Sequence, residues 1–350
     1  MRVVVAMSGG VDSSVTAALL QEAGHEVIGV HMKLHDADPD QAGHCCGLDD
    51  ALDARRVADG LGIPFHVVDL REAFQQAVVQ DLVETYLGGA TPNPCVQCNG
   101  VLKFRVLLAR ALALGASHLA TGHYARIVDG RLHIARDPHK DQTYFLFPMT
   151  TKALEKTLFP LGELTKAEVR VHARRFGLAT SEKPESQEIC FLPDHDHAGF
   201  IRRERPDAGA AGEIVDEDGR VLGQHEAYFR YTVGQRRGLG VAAPAPLYVH
   251  HVEPETRRVV VAGRGRLWAA GLVAGRWTWH ERPAPDEQVT VRIRHNGHML
   301  QGHVGAGDDP VVRFTEPAWA VAPGQAVVVY RGDMVLGGGW ITTSLSSVDA

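Results

Sequence analysis

Two groups of residues in this chain have the types and spacing to do chemistry. The first is Ser8-Gly9-Gly10-Val11-Asp12-Ser13-Ser14. Paired glycines let a backbone approach a phosphate closely, and the free N–H groups of a helix start, with hydroxyls beside them, hold an anion. The run lacks the Gly-Lys-Ser/Thr ending of a Walker A loop and the Gly-x-Gly-x-x-Gly of a dinucleotide fingerprint, so it is a phosphate binder of another kind. The second group is Cys95-Val96-Gln97-Cys98, whose spacing brings two sulfurs within reach of one centre, with Cys190 further along. Thiolates and persulfides are strong nucleophiles, which makes Cys98 and Cys190 candidate sulfur carriers. Adenylation suits a target whose oxygen will not leave by itself, such as an amide-like carbonyl: AMP turns that oxygen into a leaving group, and a thiol-derived sulfur replaces it.

Positioning these groups requires a scaffold, and the first part of the chain predicts one. Strand candidates Val3–Met7, Glu26–Met32, Phe65–Leu70 and His118–Thr121 alternate with amphipathic stretches. Val11, Val15, Ala18 and Leu19 follow a helix face, and Leu48/Leu52 and Leu102/Val106/Ala109 read similarly. Gly24, Gly62 and Gly115 each precede a strand candidate directly, as expected where a left-handed residue closes a helix. Repeated β-α units of this kind imply a doubly wound α/β domain with a mainly parallel sheet. The phosphate loop then sits after the first strand and opens the first helix, where such sheets bind ligands. Long loops are expected at 33–47 and 87–99, the second carrying Cys95 and Cys98. A further helix, Lys166 to Phe176, ends at Gly177 before a polar loop that leads into Cys190.

Later the texture changes to short runs punctuated by Gly and Pro, among them Val259–Ala262, Val289–Ile293, Val311–Phe314 and Ala326–Tyr330. These predict a small all-β unit, sandwich or barrel. The expected domains are 1–197, a central segment 198–265 that is the least readable, and a β unit at 266–350. A chain of 350 residues exceeds the ~100–200 usual for one domain, in keeping with two or three units.

Composition narrows the class. Hydrophobic residues at 45% and charged residues at 22% are those of a folded globular chain rather than a disordered one. The net charge of −6 supplies no global pull toward nucleic acid, which leaves any RNA contact to local patches such as Arg202-Arg203-Glu204-Arg205 or Arg230 to Arg237. Five cysteines are too few for a secreted disulfide framework of this length, and no leader or long apolar run is seen, so a cytoplasmic chain without membrane contact is expected. Cys45 and Cys46 are read as a loop pair with no assigned role.

Ala6-Met7-Ser8-Gly9-Gly10-Val11-Asp12-Ser13 resembles the signature of the PP-loop ATP pyrophosphatases, which cleave ATP between the α- and β-phosphates. With Gly29-Val30-His31-Met32, Pro92-Asn93-Pro94-Cys95-Val96-Gln97-Cys98-Asn99, Thr121-Gly122-His123-Tyr124, Lys140-Asp141-Gln142 and Ile189-Cys190-Phe191, the set closely resembles the MnmA family of tRNA-specific 2-thiouridylases. The likeness continues through Thr232 to Gly240, Pro323-Gly324-Gln325 and Leu336-Gly337-Gly338-Gly339, so it spans nearly the whole chain in order.

That resemblance implies a PP-loop, adenine nucleotide alpha hydrolase-like domain, a small central tRNA-contacting domain and a C-terminal β-barrel. It implies thiolation of the wobble uridine of the tRNAs for lysine, glutamate and glutamine, with ATP and Mg, and a sulfur donor such as a cysteine desulfurase or a sulfur-relay protein. ATP contacts would fall on Ala6, Met7, Ser8, Gly9, Gly10, Val11, Asp12, Ser13, Met32 and Gly122. Contacts near the target base would fall on Asn93, Pro94 and Cys95, and other tRNA contacts on His123, Lys140, Asp141, Gln142, Arg294, His295 and Gln325. Cys190 matches the persulfide carrier and Cys98 the nucleophile that helps release its sulfur, with a disulfide between them.

One position departs from the family pattern: Cys95 stands where many relatives have aspartate. Cys95, Cys98 and Cys190 could then hold a 4Fe–4S cluster with one open iron, as an alternative to metal-free persulfide chemistry or to a structural zinc or disulfide. Two other functional classes compete with tRNA thiolation. A small-molecule ligase would keep the loop but need neither Cys98 nor Cys190, and an RNA-binding module would tolerate a degenerate loop.

Overall fold

The structure, a computed structural model, describes residues 1–36, 48–184, 189–192, 196–208 and 211–346. Cys45 and Cys46 lie outside them. The chain divides into two compact units, the first made of 1–78, 95–195 and 333–335, the second of 79–94, 196–332 and 336–350.

In the first unit five parallel strands, β1 (Arg2–Ala6), β2 (Glu26–Lys33), β3 (Phe65–Asp69), β4 (His118–Thr121) and β5 (Thr157–Leu158), lie in the order β3-β2-β1-β4-β5. The apolar run Val3-Val4-Val5 is fully buried because helices cover both faces of β1. The chain leaves β1 toward β2 on one side, while β4 joins β1 from the other, so the crevice at their carboxyl ends is a topological switch point. Helix α1 (Val11–Glu22) opens there, with Val11, Val15 and Ala18 on its buried side. The closing glycines adopt left-handed backbone: Gly24 at φ 78°, Gly62 at 66°, Gly115 at 80° and Gly177 at 63°.

Three local readings are corrected. In helix α2 (Leu48–Leu61) the buried side is Ala54, Val57 and Ala58, and Leu52 is exposed. The second long loop ends early, because a helical turn runs over Pro94–Gln97; proline at a first helical position gives up no hydrogen bond. From Cys98 to Leu107 the chain then winds as a π-helix before α-helix resumes at Leu108–Ala113. Its buried residues include Leu102 and Leu107, five apart, whereas Ala109 of the expected α-helical face is exposed.

The second unit contains two β systems. Strands β6 (Gly212–Val215), β7 (Val221–His225), β8 (Leu247–Glu253) and β9 (Arg258–Gly263) form a sheet in the order β8-β9-β6-β7. Strands β10 (Trp268–Trp279), β11 (Val289–Arg292), β12 (Leu300–Val304), β13 (Val311–Trp319), β14 (Ala326–Arg331) and β15 (Met334–Ser346) follow the order β10-β13-β12-β11-β14-β15. Pairing of β10 with β15 closes them into a barrel, which removes the exposed edges an open sheet would carry. Gly337 and Gly339 on β15 lie under Trp279 and Trp277, where an added Cβ would meet the rings at 2.7 and 2.8 Å.

Candidate active site

The phosphate loop is shaped by its own serines. The Ser8 N–H donates to Ser13 Oγ at 3.1 Å, and the Ser13 and Ser14 hydroxyls donate to the Gly10 carbonyl at 3.1 and 2.9 Å. Gly9 has φ 78° and lies so close to α2 that a Cβ would sit 2.3 Å from the Asp50 carbonyl oxygen. At Gly122, just past β4, a Cβ would meet the backbone of Asp12 and Ser13 at 2.8 Å. Both glycines therefore answer to a backbone pressed against the loop.

A cavity opens at the switch point between the ends of β1, β2 and β4. Of the residues expected at the nucleotide it is lined by Ala6, Met7, Ser8, Asp12, Ser13, Met32 and Gly122. Gly9 and Gly10 are absent from the lining, and Val11 faces the core instead. His123 and Gln142 line the same cavity, as do His31 and Lys103, which sequence reasoning had left without a role. His31 could have been suspected from its place beside Met32 at a strand end. No periodicity argument reaches Lys103, because the π-turn sets its direction.

Asp12 accepts from both sides: Lys166 Nζ lies 2.8 Å from each of its oxygens, and the Tyr124 hydroxyl donates to Oδ1 at 2.8 Å. Lys166 is held at the first turn of its helix by the Thr165/Glu168 capping box. Lys183 Nζ bonds Asp50 at 2.6 Å, Asp53 at 2.7 Å and the Gly9 carbonyl at 3.1 Å.

Cys95, Cys98 and Cys190 are each partly accessible, and Cys95 and Cys98 are free thiols. Protein closely surrounds the first two. Desolvation, with the charge of Cys190 adding to it and Lys103 opposing, pushes Cys95 up to about 11. Desolvation also pushes Cys98 up to about 12, against the pull of Lys103 and with Cys190 and Cys95 adding to the rise. The three sulfurs thus share one electrostatic neighbourhood. Phe191 packs edge-on against Phe74 at 5.0 Å and fastens the segment that bears Cys190. Among the described residues no three His, Cys, Asp or Glu side chains are arranged to hold a metal ion. The iron–sulfur alternative therefore has no support in this donor geometry.

Three models describe successive parts of the chain: a tRNA methyl transferase HUP domain over 1–194, a tRNA methyl transferase PRC-barrel domain over 198–263 and an aminomethyltransferase beta-barrel domain over 269–341. The chain is 53% identical to the tRNA-specific 2-thiouridylase MnmA of Geobacter metallireducens, covering 99% of this chain and 98% of that one. It belongs to the MnmA family. Its likeness to the MnmA proteins of Geotalea uraniireducens, at 50% identity over 100% of this chain and 97% of that one, and of Rhodospirillum centenum, at 49% over 99% and 93%, is of the same extent.

Other positions that the MnmA likeness singles out have definite local duties. Asp141 is buried, its oxygens taking the Ala135 N–H at 3.2 Å and the Thr143 N–H and hydroxyl at 3.3 and 2.8 Å. Gln142 accepts the Tyr124 N–H at 2.9 Å, and the Lys140 N–H bonds the Asp137 carbonyl at 3.1 Å. In the second unit Gln325 donates its amide to the carbonyls of Thr91 and Pro92 at 3.1 and 2.9 Å, anchoring the turn that leads to Asn93 and Pro94. Arg294 donates to the Ala320 carbonyl, and His295 follows it beyond β11. Arg205 pairs with Asp207, while Arg202 and Arg230 share Glu226, so part of the arginine run is neutralised locally. Among the described residues no helix is long and apolar enough to cross a membrane.

Proposed function

We propose that this chain is a cytoplasmic, ATP-dependent tRNA sulfurtransferase that converts the wobble uridine of the tRNAs for lysine, glutamate and glutamine to 2-thiouridine. The observation that carries the reading is the conjunction of a serine- and glycine-built anion loop at the switch point with three cysteines clustered in the same unit. A small-molecule ligase would have no use for those sulfurs. The methyl transfer for which two of the matching domain families are named has less support than the thiolation named in relatives matched over the full chain.

In this mechanism Ala6–Ser13, Met32 and Gly122 bind ATP, with Mg carried on its phosphates. The uracil 2-oxygen attacks the α-phosphate, and pyrophosphate departs into the loop, where the N–H groups at the start of α1 accept it and the Ser13 and Ser14 hydroxyls turn from the Gly10 carbonyl to bind it. A donor such as a cysteine desulfurase or sulfur-relay protein loads Cys190 as a persulfide. Its terminal sulfur attacks C2 of the adenylated base and AMP leaves. The Cys98 thiolate then attacks Cys190 Sγ, which frees the thio-base and leaves a Cys98–Cys190 disulfide for an external thiol to reduce. Asn93, Pro94 and Cys95 face the target base, and His123, Lys140–Gln142, Arg294-His295 and Gln325 contact tRNA. The division of labour follows 1–197 for adenylation and sulfur transfer, 198–265 for tRNA contact and 266–350 for the barrel.

Incubation of purified protein with ATP, unmodified tRNA and a persulfide donor should yield 2-thiouridine by mass spectrometry of digested tRNA, with one pyrophosphate released per base. Normal 2-thiouridine in a strain lacking the gene would falsify the assignment.

A further inference from the structure

Among the described residues that line the nucleotide cavity, Lys103 is the one lysine or arginine. The neighbouring lysines are already engaged, Lys166 by Asp12 and Lys183 by Asp50 and Asp53. No carboxylate among the described residues pairs with Lys103. Its Nζ lies 3.4 Å from His123 Nε2, and His123 Nδ1 lies 2.6 Å from Thr121 Oγ1. An ammonium can only donate, so Nε2 is the acceptor and Nδ1–H donates to Thr121. His123 is therefore a neutral imidazole, in keeping with burial first and the Lys103 charge second, which together hold its pKa well below the usual histidine value. It aims the ammonium without cancelling its charge. The cavity wall thus carries a partly buried, uncompensated cation, a costly arrangement unless an anion arrives to meet it.

The winding of the chain explains how Lys103 comes to be there. It follows Cys98 by five positions within the π-helix Cys98–Leu107. In an α-helix residues five apart diverge by roughly 140°, whereas closure of i→i+5 bonds brings them toward a common side. The same turn that presents Cys98 therefore swings Lys103 into the cavity, and Cys95 and Cys98 both feel it as an attractive charge.

We propose that Lys103 is the cation that binds the phosphate chain of ATP in this cavity and also stands as counter-charge to the Cys98 sulfur, one ammonium serving both halves of the reaction. The second half rests on the thiolation reading; the first does not.

The test uses the full chain with Lys103→Met and Lys103→Arg. Direct titration gives the Kd for ATP, and the rate of Cys98 alkylation by iodoacetamide at one fixed, mildly alkaline pH is read by peptide mass spectrometry. Lys103→Met should weaken ATP about tenfold or more and slow Cys98 alkylation several-fold, while Lys103→Arg should keep most of both. An unchanged Kd in Lys103→Met overturns the phosphate assignment, and an unchanged alkylation rate overturns the counter-charge. Equal loss in Lys103→Arg overturns both, since charge would then not be the cause. Should Lys103→Met lose its fold, Lys103→Gln takes its place in the same comparison. If the native protein makes no 2-thiouridine but Lys103→Met still weakens ATP, the thiolation reading falls and the ATP assignment stands.

Discussion

Lys183 Nζ reaches the Gly9 carbonyl at 3.1 Å while it also pairs with Asp50 and Asp53. One side chain, from the segment that leads toward Cys190, thereby clamps the phosphate loop to helix α2. Burial works against its charge, but the bonds to Asp50 and Asp53 more than offset that, so its pKa is raised. A loop whose N–H groups are held in place before the anion arrives loses little on binding it.

Replacing Lys183 with methionine leaves Asp50 without its cation and Asp53 with its Arg56 pair, and frees the Gly9 carbonyl. Loss of one partner from such a cluster should cost about 1–3 kcal/mol of stability and weaken ATP about tenfold. Because the folded-state pKa is raised, the native stabilisation is complete below the ordinary lysine range and is lost only as pH climbs through the folded value. Urea titrations at neutral pH should therefore separate the variant from the native chain, and the gap should close only under strongly alkaline conditions.

Gly9→Ala tests the loop from the other side. Its Cβ would need left-handed backbone and would collide with the Asp50 carbonyl oxygen, 2.3 Å away. A stability loss of about 2 kcal/mol or more is expected, with ATP binding reduced by a larger factor than in Lys183→Met. Calorimetry of unfolding together with nucleotide titration would expose a mistaken placement of the loop if alanine were neutral in both.

Asp12→Asn should abolish pyrophosphate release, because it removes the carboxylate that orients Lys166 and Tyr124 beside the cavity. Tyr124→Phe deletes only the hydroxyl bond and should cost about 1 kcal/mol with partial activity retained. Equal effects from the two substitutions would mean that the Lys166 ion pair contributes nothing to the site.

Thiol reactivity provides a pH test. With Cys98 pushed up to about 12 and Cys95 to about 11, both stay protonated at neutral pH in the resting protein. Their alkylation rates should keep rising tenfold per pH unit well past the ordinary thiol range of about 8.5, without a plateau there. A plateau near the ordinary value would show that these thiols are not desolvated. The same raised values mean that stability falls as pH rises above the thiol range of the unfolded chain, since only the unfolded state then loses the protons.

Gln325→Leu removes two donors from the carbonyls of Thr91 and Pro92. Amide hydrogen exchange around Asn93 should accelerate, and thiolation of tRNA should fall while ATP binding to the first unit stays intact. Unaltered exchange in this segment would remove Gln325 as its anchor.

What the amino-acid sequence determined by itself was local. A strand followed by Ser8-Gly9-Gly10 and a helix, left-handed closures at Gly24, Gly62, Gly115 and Gly177, and alternating strands in the tail all follow from backbone preferences of a few consecutive residues. The tertiary structure alone decided the rest. Leu52 looked like core and is exposed, because the small residues Ala54 and Ala58 are what fit beneath α2. The face containing Leu102, Val106 and Ala109 assumed an α-helix, and the π-winding from Cys98 to Leu107 turned Lys103 toward the cavity instead. The partners of Asp12 and Gly9 lie 154 and 174 positions away, at Lys166 and Lys183, and no local periodicity encodes them. Local order is written in torsional preference and burial period, whereas the charge balance of the site depends on which distant side chains the folded backbone brings within a few ångströms of one another.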